Sequence, residues 1–196
     1  MKILKRLLLC CLWGVMLAEA HPHVFIDATV KVIFDNAGLT SVKTRWVFDE
    51  TYSLVMMSSG DSDGDGKISE KERDWFFDRI LSQYAENNYN TYVQYGTSFL
   101  KARELKNFDA TFKNNRLILD FETTFDCPVG DDYKMLVVAV ADLTNYTLIT
   151  PDMEQADVDA PDAIDVEFFN DVLKGLTLFR AFSPDLEGLF LRFKKK

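Results

Sequence analysis

Val24-Phe-Ile-Asp-Ala-Thr-Val-Lys-Val-Ile33 is a run of alternating residues that places Val24, Ile26, Ala28, Val30 and Val32 on one face. A period of two with many β-branched residues is typical of a strand that buries one face. The turn-forming residues Asp35-Asn-Ala-Gly38 follow, and the strand pattern resumes from Leu39 to Phe48. The two runs therefore predict a β-hairpin at the start of a β-rich domain.

The apolar spacing changes from a strand period to a helical period after this hairpin. Tyr52, Val55, Met56 and Ser59 recur at helical spacing, which predicts a helix over 50–59. A second helix is predicted from Glu70 to about Asn87, because its aromatic and aliphatic residues form an amphipathic stripe. We expect that stripe to pack in the core; the alternative is a groove that binds a partner.

Strand patterns return in the second half of the chain. The predicted strands cover 92–95, 106–112, 116–125, 135–141, 146–149 and 188–193, with a hairpin turn at Asn114-Asn115. Residues 166–178 have a mixed period that predicts a strand followed by a short helix. The predicted fold class is α+β: one β-rich, sandwich-like antiparallel domain over 21–196, with a helix–loop–helix inserted at about 50–88.

The segment between the two predicted helices, Asp61-Ser-Asp-Gly-Asp-Gly-Lys-Ile-Ser-Glu-Lys-Glu72, has the full pattern of an EF-hand calcium loop. Such a loop takes its oxygen ligands from positions 1, 3, 5, 7, 9 and 12 and has glycine at position 6. The predicted Ca²⁺ ligands are Asp61, Asp63, Asp65, Lys67 through its carbonyl, Ser69 and Glu72. The alternative is an Asp/Gly-rich surface turn without an ion, although clustered aspartates repel each other when no cation is present.

The first twenty residues predict a secretory signal peptide. Lys2, Lys5 and Arg6 precede an apolar run over 7–17, and Ala18-Glu-Ala20 forms a small-residue cleavage site. The run is too short to span a membrane, and no later stretch is apolar enough to do so. We therefore expect an exported, soluble protein with no membrane span. Lipidation at Cys10 or Cys11 is the alternative, but bulky Leu9 in front of Cys10 disfavours it.

Cleavage after Ala20 would make His21 the amino terminus of the mature chain, in the sequence His21-Pro22-His23. An amine and two imidazoles are nitrogen ligands that suit Ni²⁺, Co²⁺, Zn²⁺ or Cu²⁺ rather than Ca²⁺. Pro22 has no backbone N–H, so a square-planar site through deprotonated amides cannot form completely. His21 and His23 are therefore candidate transition-metal ligands. The alternative is a frayed polar terminus that carries two histidines by chance.

The charge balance limits the classes of partner. Without Lys2, Lys5, Arg6 and Glu19, the mature chain carries 19 basic and 30 acidic residues, a formal charge of −11. This excess of acid disfavours nucleic acid as a partner. We expect 152–165 to be a solvated acidic linker or a weak cation-collecting loop, and 194–196 to be a solvated tail.

Once the signal peptide is removed, one cysteine remains in the chain. Cys127 therefore has no partner for an intrachain disulfide. We expect it to be a buried or half-buried thiol.

Several of these stretches resemble domain-of-unknown-function family 1007. The resemblance lies in His21-Pro-His-Val-Phe-Ile-Asp-Ala28, in Arg45-Trp-Val-Phe-Asp-Glu50 and in Val140-Ala-Asp-Leu-Thr-Asn-Tyr146, where Leu143 replaces the proline of the family's pattern. It implies an exported periplasmic component of an uncharacterised transport system, associated with nickel/cobalt-type membrane transporters. It assigns no catalytic residues, and His21 and His23 match the family's opening histidines.

Three hypotheses for the function follow from the sequence. The first is a periplasmic metal-binding accessory protein of a divalent-metal transport system, with an inner-membrane transporter as its partner. The second is a Ca²⁺-stabilised interaction module in which the histidines have no role. The third, an enzyme, is disfavoured because the sequence has no nucleophile elbow, no H-E-x-x-H, no P-loop and no dinucleotide-binding motif.

Overall fold

Two β-sheets pack against each other around a core to which both contribute large apolar side chains. The computed structural model describes residues 24–144, 146–183 and 185–196. Within these residues there are eleven strands: β1 (Val24–Asp35), β2 (Gly38–Phe48), β3 (Thr91–Tyr95), β4 (Ser98–Phe99), β5 (Leu105–Lys113), β6 (Arg116–Pro128), β7 (Lys134–Val140), β8 (Thr147–Pro151), β9 (Asp157–Asp159), β10 (Ile164–Val172) and β11 (Glu187–Lys195).

One sheet has the strand order β5-β6-β2-β1-β8, with β9 also paired to β1, and the other has the order β10-β11-β7-β3-β4. The expectation of a β-rich domain is confirmed, and the expectation of antiparallel pairing holds for the second sheet but not for all of the first. Both β8 and β9 run parallel to β1. The first sheet is therefore mixed, and the chain passes from β7 in the second sheet to β8 in the first.

The predicted β1–β2 hairpin is present. Its register runs from Ile26 opposite Phe48 to Asp35 opposite Gly38, and the even-numbered residues of β1 from Val24 to Phe34 are buried. Gly38 has φ of +138°, and a Cβ at this position would lie 2.6 Å from the backbone nitrogen of Val129. The turn therefore needs glycine both for its backbone conformation and for the close approach of β6.

The helical insert follows β2. It consists of α1 (Glu50–Gly60), α2 (Glu70–Phe76), a π-helical turn over Phe77–Leu81 and a 3₁₀ segment over Ser82–Asn90. The second predicted helix is therefore present, but it consists of consecutive α, π and 3₁₀ segments and is not a regular α-helix throughout. The π-helical turn has wider i→i+5 hydrogen bonds. Phe76, just before it, and Ile80 and Leu81, within it, are all buried. The expectation that the stripe of the second predicted helix belongs to the core is confirmed.

The predicted strands are present, with ends shifted by a few residues, and the Asn114-Asn115 turn has positive φ at both residues. Two expectations for polar segments are wrong. The acidic stretch contains β9, in which Asp157 and Asp159 pair with Lys31 at 2.9 and 3.5 Å. The basic tail is not free, because Lys194 and Lys195 belong to β11 and the Lys196 N–H donates to the Ala163 carbonyl.

Two further observations bear on the sequence expectations. Cys127 is buried, and burial raises the pKa of its thiol. No helix among the described residues is long and apolar enough to cross a membrane. The predicted signal peptide lies outside the described residues.

Candidate metal centre

The loop over 61–69 is held at both ends by the helices next to it. Asp49 caps α1 by accepting from the Tyr52 N–H at 2.9 Å, and the Asp61 N–H donates to the Met57 carbonyl at 3.0 Å where the helix ends. At the other end, Ser69 and Glu72 form a reciprocal capping box that begins α2. The start and the end of the loop are thus fixed by local hydrogen bonds.

The three predicted aspartate ligands lie close together. Asp61, Asp63 and Asp65 each offer a carboxylate oxygen, and these atoms all lie within 4.8 Å of one another. Asp61 is half-buried and the other two are exposed. Across the described ranges, none of the three forms an ion pair with a basic side chain, so their mutual repulsion is not offset by a neighbouring Lys or Arg.

Backbone N–H groups wind the loop around Asp61. Its Oδ1 accepts from Gly64 at 2.8 Å and from Asp65 at 3.2 Å, and its Oδ2 accepts from Gly66 at 2.9 Å. Gly64 and Gly66 have φ of +72° and +76°, a region that glycine enters without strain. These turns bring the three carboxylates to the same side of a short loop.

Glu72, the predicted ligand at position 12, is hydrogen-bonded to both ends of the loop. Its Oε1 accepts from the Ser62 N–H and hydroxyl at 2.6 and 2.8 Å, and its Oε2 accepts from the Ser69 N–H and hydroxyl at 2.9 and 2.8 Å. These four hydrogen bonds lower the pKa of Glu72 to about 2, and the bond from the Ser69 N–H has the largest effect. The side chain is thus ionised at neutral pH, but it does not belong to the group of three aspartates.

The remaining loop positions have modest roles. The Lys67 N–H donates to Asp65 Oδ1 at 2.8 Å, and Ile68 packs against the main core. Ser62 was not identified from the sequence, although its hydroxyl and N–H hold one oxygen of Glu72. A small polar residue at the second position of the loop is the only sequence signal for that contact.

The aromatic residues of α2 bring the two helices close together. A Cβ on Gly60, the last residue of α1, would lie 2.5 Å from Cζ of Phe76 and 2.7 Å from the ring of Trp75. The absence of a side chain at Gly60 therefore allows these rings to lie against the end of α1. This contact fixes the distance between the two helix ends that carry the loop.

His21 and His23 lie outside the described residues, so the structure does not test whether they approach each other. The residues that follow them are well anchored. The Phe25 N–H donates to Asp49 Oδ2 at 3.1 Å, and the Asp49 N–H donates to the Phe25 carbonyl at 3.0 Å. The carboxylate that caps α1 therefore also fixes the start of β1 beside that helix.

A cleft that the sequence did not indicate opens next to this anchor. It has a volume of about 800 Å³ and is lined by residues from β1, α1, the π-helical turn, the 3₁₀ segment and the residue before β8. Its walls come from parts of the chain that are more than a hundred residues apart, so no local pattern could have predicted it.

The family model described as protein of unknown function (DUF1007) matches residues 6–170 of the chain. The matched region includes the first hairpin, the helical insert and the strands through most of β10. A comparison with curated proteins gives no match. The resemblance noted in the sequence is therefore confirmed at the level of the family.

Proposed function

The chain belongs to this family of proteins of unknown function, and we propose that it is a periplasmic metal-binding accessory protein of a divalent-metal transport system. In this proposal residues 61–72 form one EF-hand Ca²⁺ site. His21 and His23 hold or pass a transition metal at the amino terminus of the mature chain. The observation that carries the proposal is the approach of three aspartate carboxylates within 4.8 Å on a loop between two helices.

The donor atoms of the loop suit calcium. Ca²⁺ is a hard cation that takes six to eight oxygen ligands, and the side chains of Asp61, Asp63, Asp65 and Glu72 are all carboxylates. Bound calcium would neutralise the repulsion among the aspartates. Glu72 would complete the set as the ligand at position 12, and Ser62 and Ser69 are the groups with which the ion would compete for that carboxylate.

A structural role suits this site better than a switching role. The chain has a single loop of this kind, and its flanking helices pack on the core through Met56, Met57 and Phe76. Extracellular calcium modules bind with dissociation constants of about 10⁻⁴–10⁻³ M. A site of that affinity would be largely filled at millimolar calcium and would hold α1 and α2 together.

The transition-metal part of the proposal rests on chemistry and on the family resemblance. Imidazole and amine nitrogens favour Ni²⁺, Co²⁺, Zn²⁺ and Cu²⁺. The family that this chain resembles is associated with transport systems, which implies a membrane transporter as the partner. Export to the periplasm would bring the amino terminus to the compartment where such a transporter collects its metal.

A second function, a Ca²⁺-stabilised interaction module, is favoured by one observation. Strand β10 lies at the edge of its sheet, and its Phe168 and Phe169 are 47% and 56% exposed. Exposed apolar edge strands are places where another chain adds a strand. In this alternative the protein docks a partner through β10, and the histidines have no role.

Native mass spectrometry of the mature protein, beginning at His21, tests the proposal. The protein is titrated with Ca²⁺ and then with Ni²⁺, Co²⁺, Zn²⁺ and Cu²⁺. We expect one Ca²⁺ that is lost in Asp63→Asn and one tight transition metal that is lost in the His21→Ala/His23→Ala double variant. Asp131→Asn, in an exposed loop away from 61–72, is the matched control and should keep both ions.

Thermal unfolding provides an independent measurement of the calcium site. For dissociation constants of about 10⁻⁴–10⁻³ M, 10 mM Ca²⁺ stabilises the native state by about 1.4–2.7 kcal/mol. At about 2–4 °C per kcal/mol, the Tm should rise by about 3–11 °C. An unchanged Tm would refute the calcium site, and calcium binding without a histidine-dependent metal would leave the interaction module.

A further inference from the structure

We propose that the cleft between the start of β1 and the helical insert binds a small organic anion that has an aromatic or branched apolar body. The cleft has a volume of about 800 Å³, which falls within the range of about 300–1,000 Å³ that is usual for small-molecule sites. None of the residues that line the cleft belongs to the loop at 61–72, so this inference adds to the proposed function and does not depend on it.

The apolar part of the ligand would contact three aromatic and two aliphatic residues. Phe25, Tyr52 and Tyr146 form the aromatic part of the lining, and Val55 and Met56 form the aliphatic part. Phe25, Val55 and Tyr146 are 48%, 54% and 57% exposed. Large apolar groups that gather around a concave surface, rather than lying singly, indicate a binding site.

The anionic part of the ligand is inferred from Arg79. Within the described ranges the chain has seven arginines, and five of them form ion pairs with carboxylates. Arg79 and Arg180 do not, and Arg79 lies in the lining of the cleft. A guanidinium that forms no ion pair with a protein carboxylate is available for a charge-assisted, two-pronged hydrogen bond to a ligand carboxylate, sulfonate or phosphate.

The acidic group in the same cleft, Asp49, is bound by backbone N–H groups and forms no ion pair with Arg79. Both oxygens of Asp49 are already engaged, Oδ1 by the Tyr52 N–H at 2.9 Å and Oδ2 by the Phe25 N–H at 3.1 Å. Burial raises the pKa of Tyr52 to about 12, so its hydroxyl stays protonated and neutral at physiological pH. The described lining of the cleft therefore combines one guanidinium, Arg79, with the Asp49 carboxylate and neutral hydrogen-bonding groups.

The walls are held by contacts that do not involve a ligand. The π-helical turn that carries Arg79 is followed by Gln83, whose side-chain Nε2 donates to the Ile80 carbonyl at 2.9 Å. Ser53 ties α1 to the first sheet by accepting from the Leu117 N–H at 2.9 Å. A site formed in advance needs little reorganisation when a small ligand enters.

Fluorescence titration of the mature protein with 8-anilinonaphthalene-1-sulfonate, an aromatic anion, tests the inference. N-phenyl-1-naphthylamine is a neutral probe with a similar aromatic body. Calcium is kept at 10 mM throughout so that every titration is made in the same solution. We expect Arg79→Gln to raise the Kd of the anionic probe about tenfold or more, the usual effect of losing a charge-assisted contact, and to leave the neutral probe unchanged.

Three variants locate the bound probe and separate this site from the metal sites. Arg180→Gln removes the other unpaired arginine and should leave both probes unaffected. Phe169→Ser removes an exposed ring from β10 and should also have no effect. Asp63→Asn should lose calcium but keep the anionic probe, so failure of the calcium site and failure of the cleft are distinguishable.

Three results would overturn the proposal that the cleft binds an organic anion. Equal affinity of the Arg79→Gln variant and the native protein for the anionic probe would overturn the inference. The same is true if the neutral probe weakens in parallel. Binding that appears only when residues 21–23 are removed would show that the chain's own amino terminus fills the cleft, and this result would also overturn it.

Discussion

Replacing Gly60 by alanine tests whether close packing of the two helices sets the geometry of the loop. The added Cβ would lie 2.5 Å from Cζ of Phe76 and 2.7 Å from two atoms of the Trp75 ring. Phe76 is fully buried, and the two rings already meet edge to face at 5.1 Å. Neither ring can therefore move without disturbing the other.

The expected size of the effect follows from two opposing contributions. Overpacking a tight core costs about 1–3 kcal/mol, while exchanging glycine for alanine in a helix gains at most about 1 kcal/mol. We expect a net loss of about 1–2 kcal/mol in the free energy of unfolding. For a domain of this size that lowers the Tm by about 2–8 °C.

Thermal unfolding followed by circular dichroism, with and without calcium, provides the measurement. Ser58→Ala, an exposed change in the same helix, is the control and should shift the Tm very little. In a Phe76→Leu background, which shortens the opposing side chain, Gly60→Ala should be less destabilising by about 0.5 kcal/mol or more. A Gly60→Ala protein that is as stable as the native one, or an effect that is equal in both backgrounds, would refute this reasoning.

Three further predictions concern groups away from the loop. Tyr92→Phe removes a buried hydroxyl that has no partner among the described residues and should raise the free energy of unfolding in urea by about 1 kcal/mol. Tyr84→Phe removes a 3.2 Å hydrogen bond to Thr147 and should lower the free energy of unfolding by about 1 kcal/mol. Burial raises the pKa of Tyr52 and Tyr92 to about 12. The part of the free energy of unfolding that comes from keeping these two hydroxyls protonated is therefore complete below about pH 10 and is lost between about pH 10 and 12. An absorbance titration at about 295 nm, where ionised tyrosine absorbs, would contradict this if every tyrosine ionised near pH 10. Arg116→Gln should lower the Tm by about 2–8 °C, because Arg116 donates to a carbonyl of β2 at 2.6 Å and to a carboxylate of β1 at 2.8 Å, while the exposed Lys113→Gln should not.

The parts of the fold that could be predicted depend on neighbours in sequence. Alternation from Val24 to Ile33 and the turn before Leu39 suffice for the first hairpin, because pairing across a short turn needs no information from elsewhere. Asn114 and Asn115 have φ of 53° and 61°, a conformation that asparagine tolerates better than most residues. Local chemistry therefore specifies these turns and the strands on either side of them.

The pairing of distant strands could not be predicted. Asp157 to Asp159 form a strand because β1 lies alongside and Lys31 offers a partner for both carboxylates. Read alone, these residues look like an acidic linker. Lys194 and Lys195 likewise look like a tail, but β10 provides the strand with which they pair. In both cases tertiary contacts override a weak local preference.

The candidate loop was easier to find than its detailed contacts. Its twelve-residue pattern is contiguous, so the sequence identifies Asp61, Asp63 and Asp65 correctly as neighbours in space. The pattern says nothing about Ser62, whose hydroxyl donates to the carboxylate of Glu72. It also says nothing about the cleft, whose walls include Phe25, Arg79 and Tyr146, residues that only the fold brings together.

Helix α1 is shared by the loop and the cleft, but its two ends are fixed by different parts of the protein. At its start, Asp49 holds the Phe25 N–H and Ser53 accepts from the Leu117 N–H, so the first sheet fixes the residues that line the cleft. At its end, Gly60 lies against the rings of Phe76 and Trp75, and this contact fixes the entry to the loop. Changes at Gly60 should therefore affect calcium affinity far more than probe binding in the cleft. A change at Ser53 should have the opposite effect, because it loosens the helix from the sheet and leaves the contact between the helices in place.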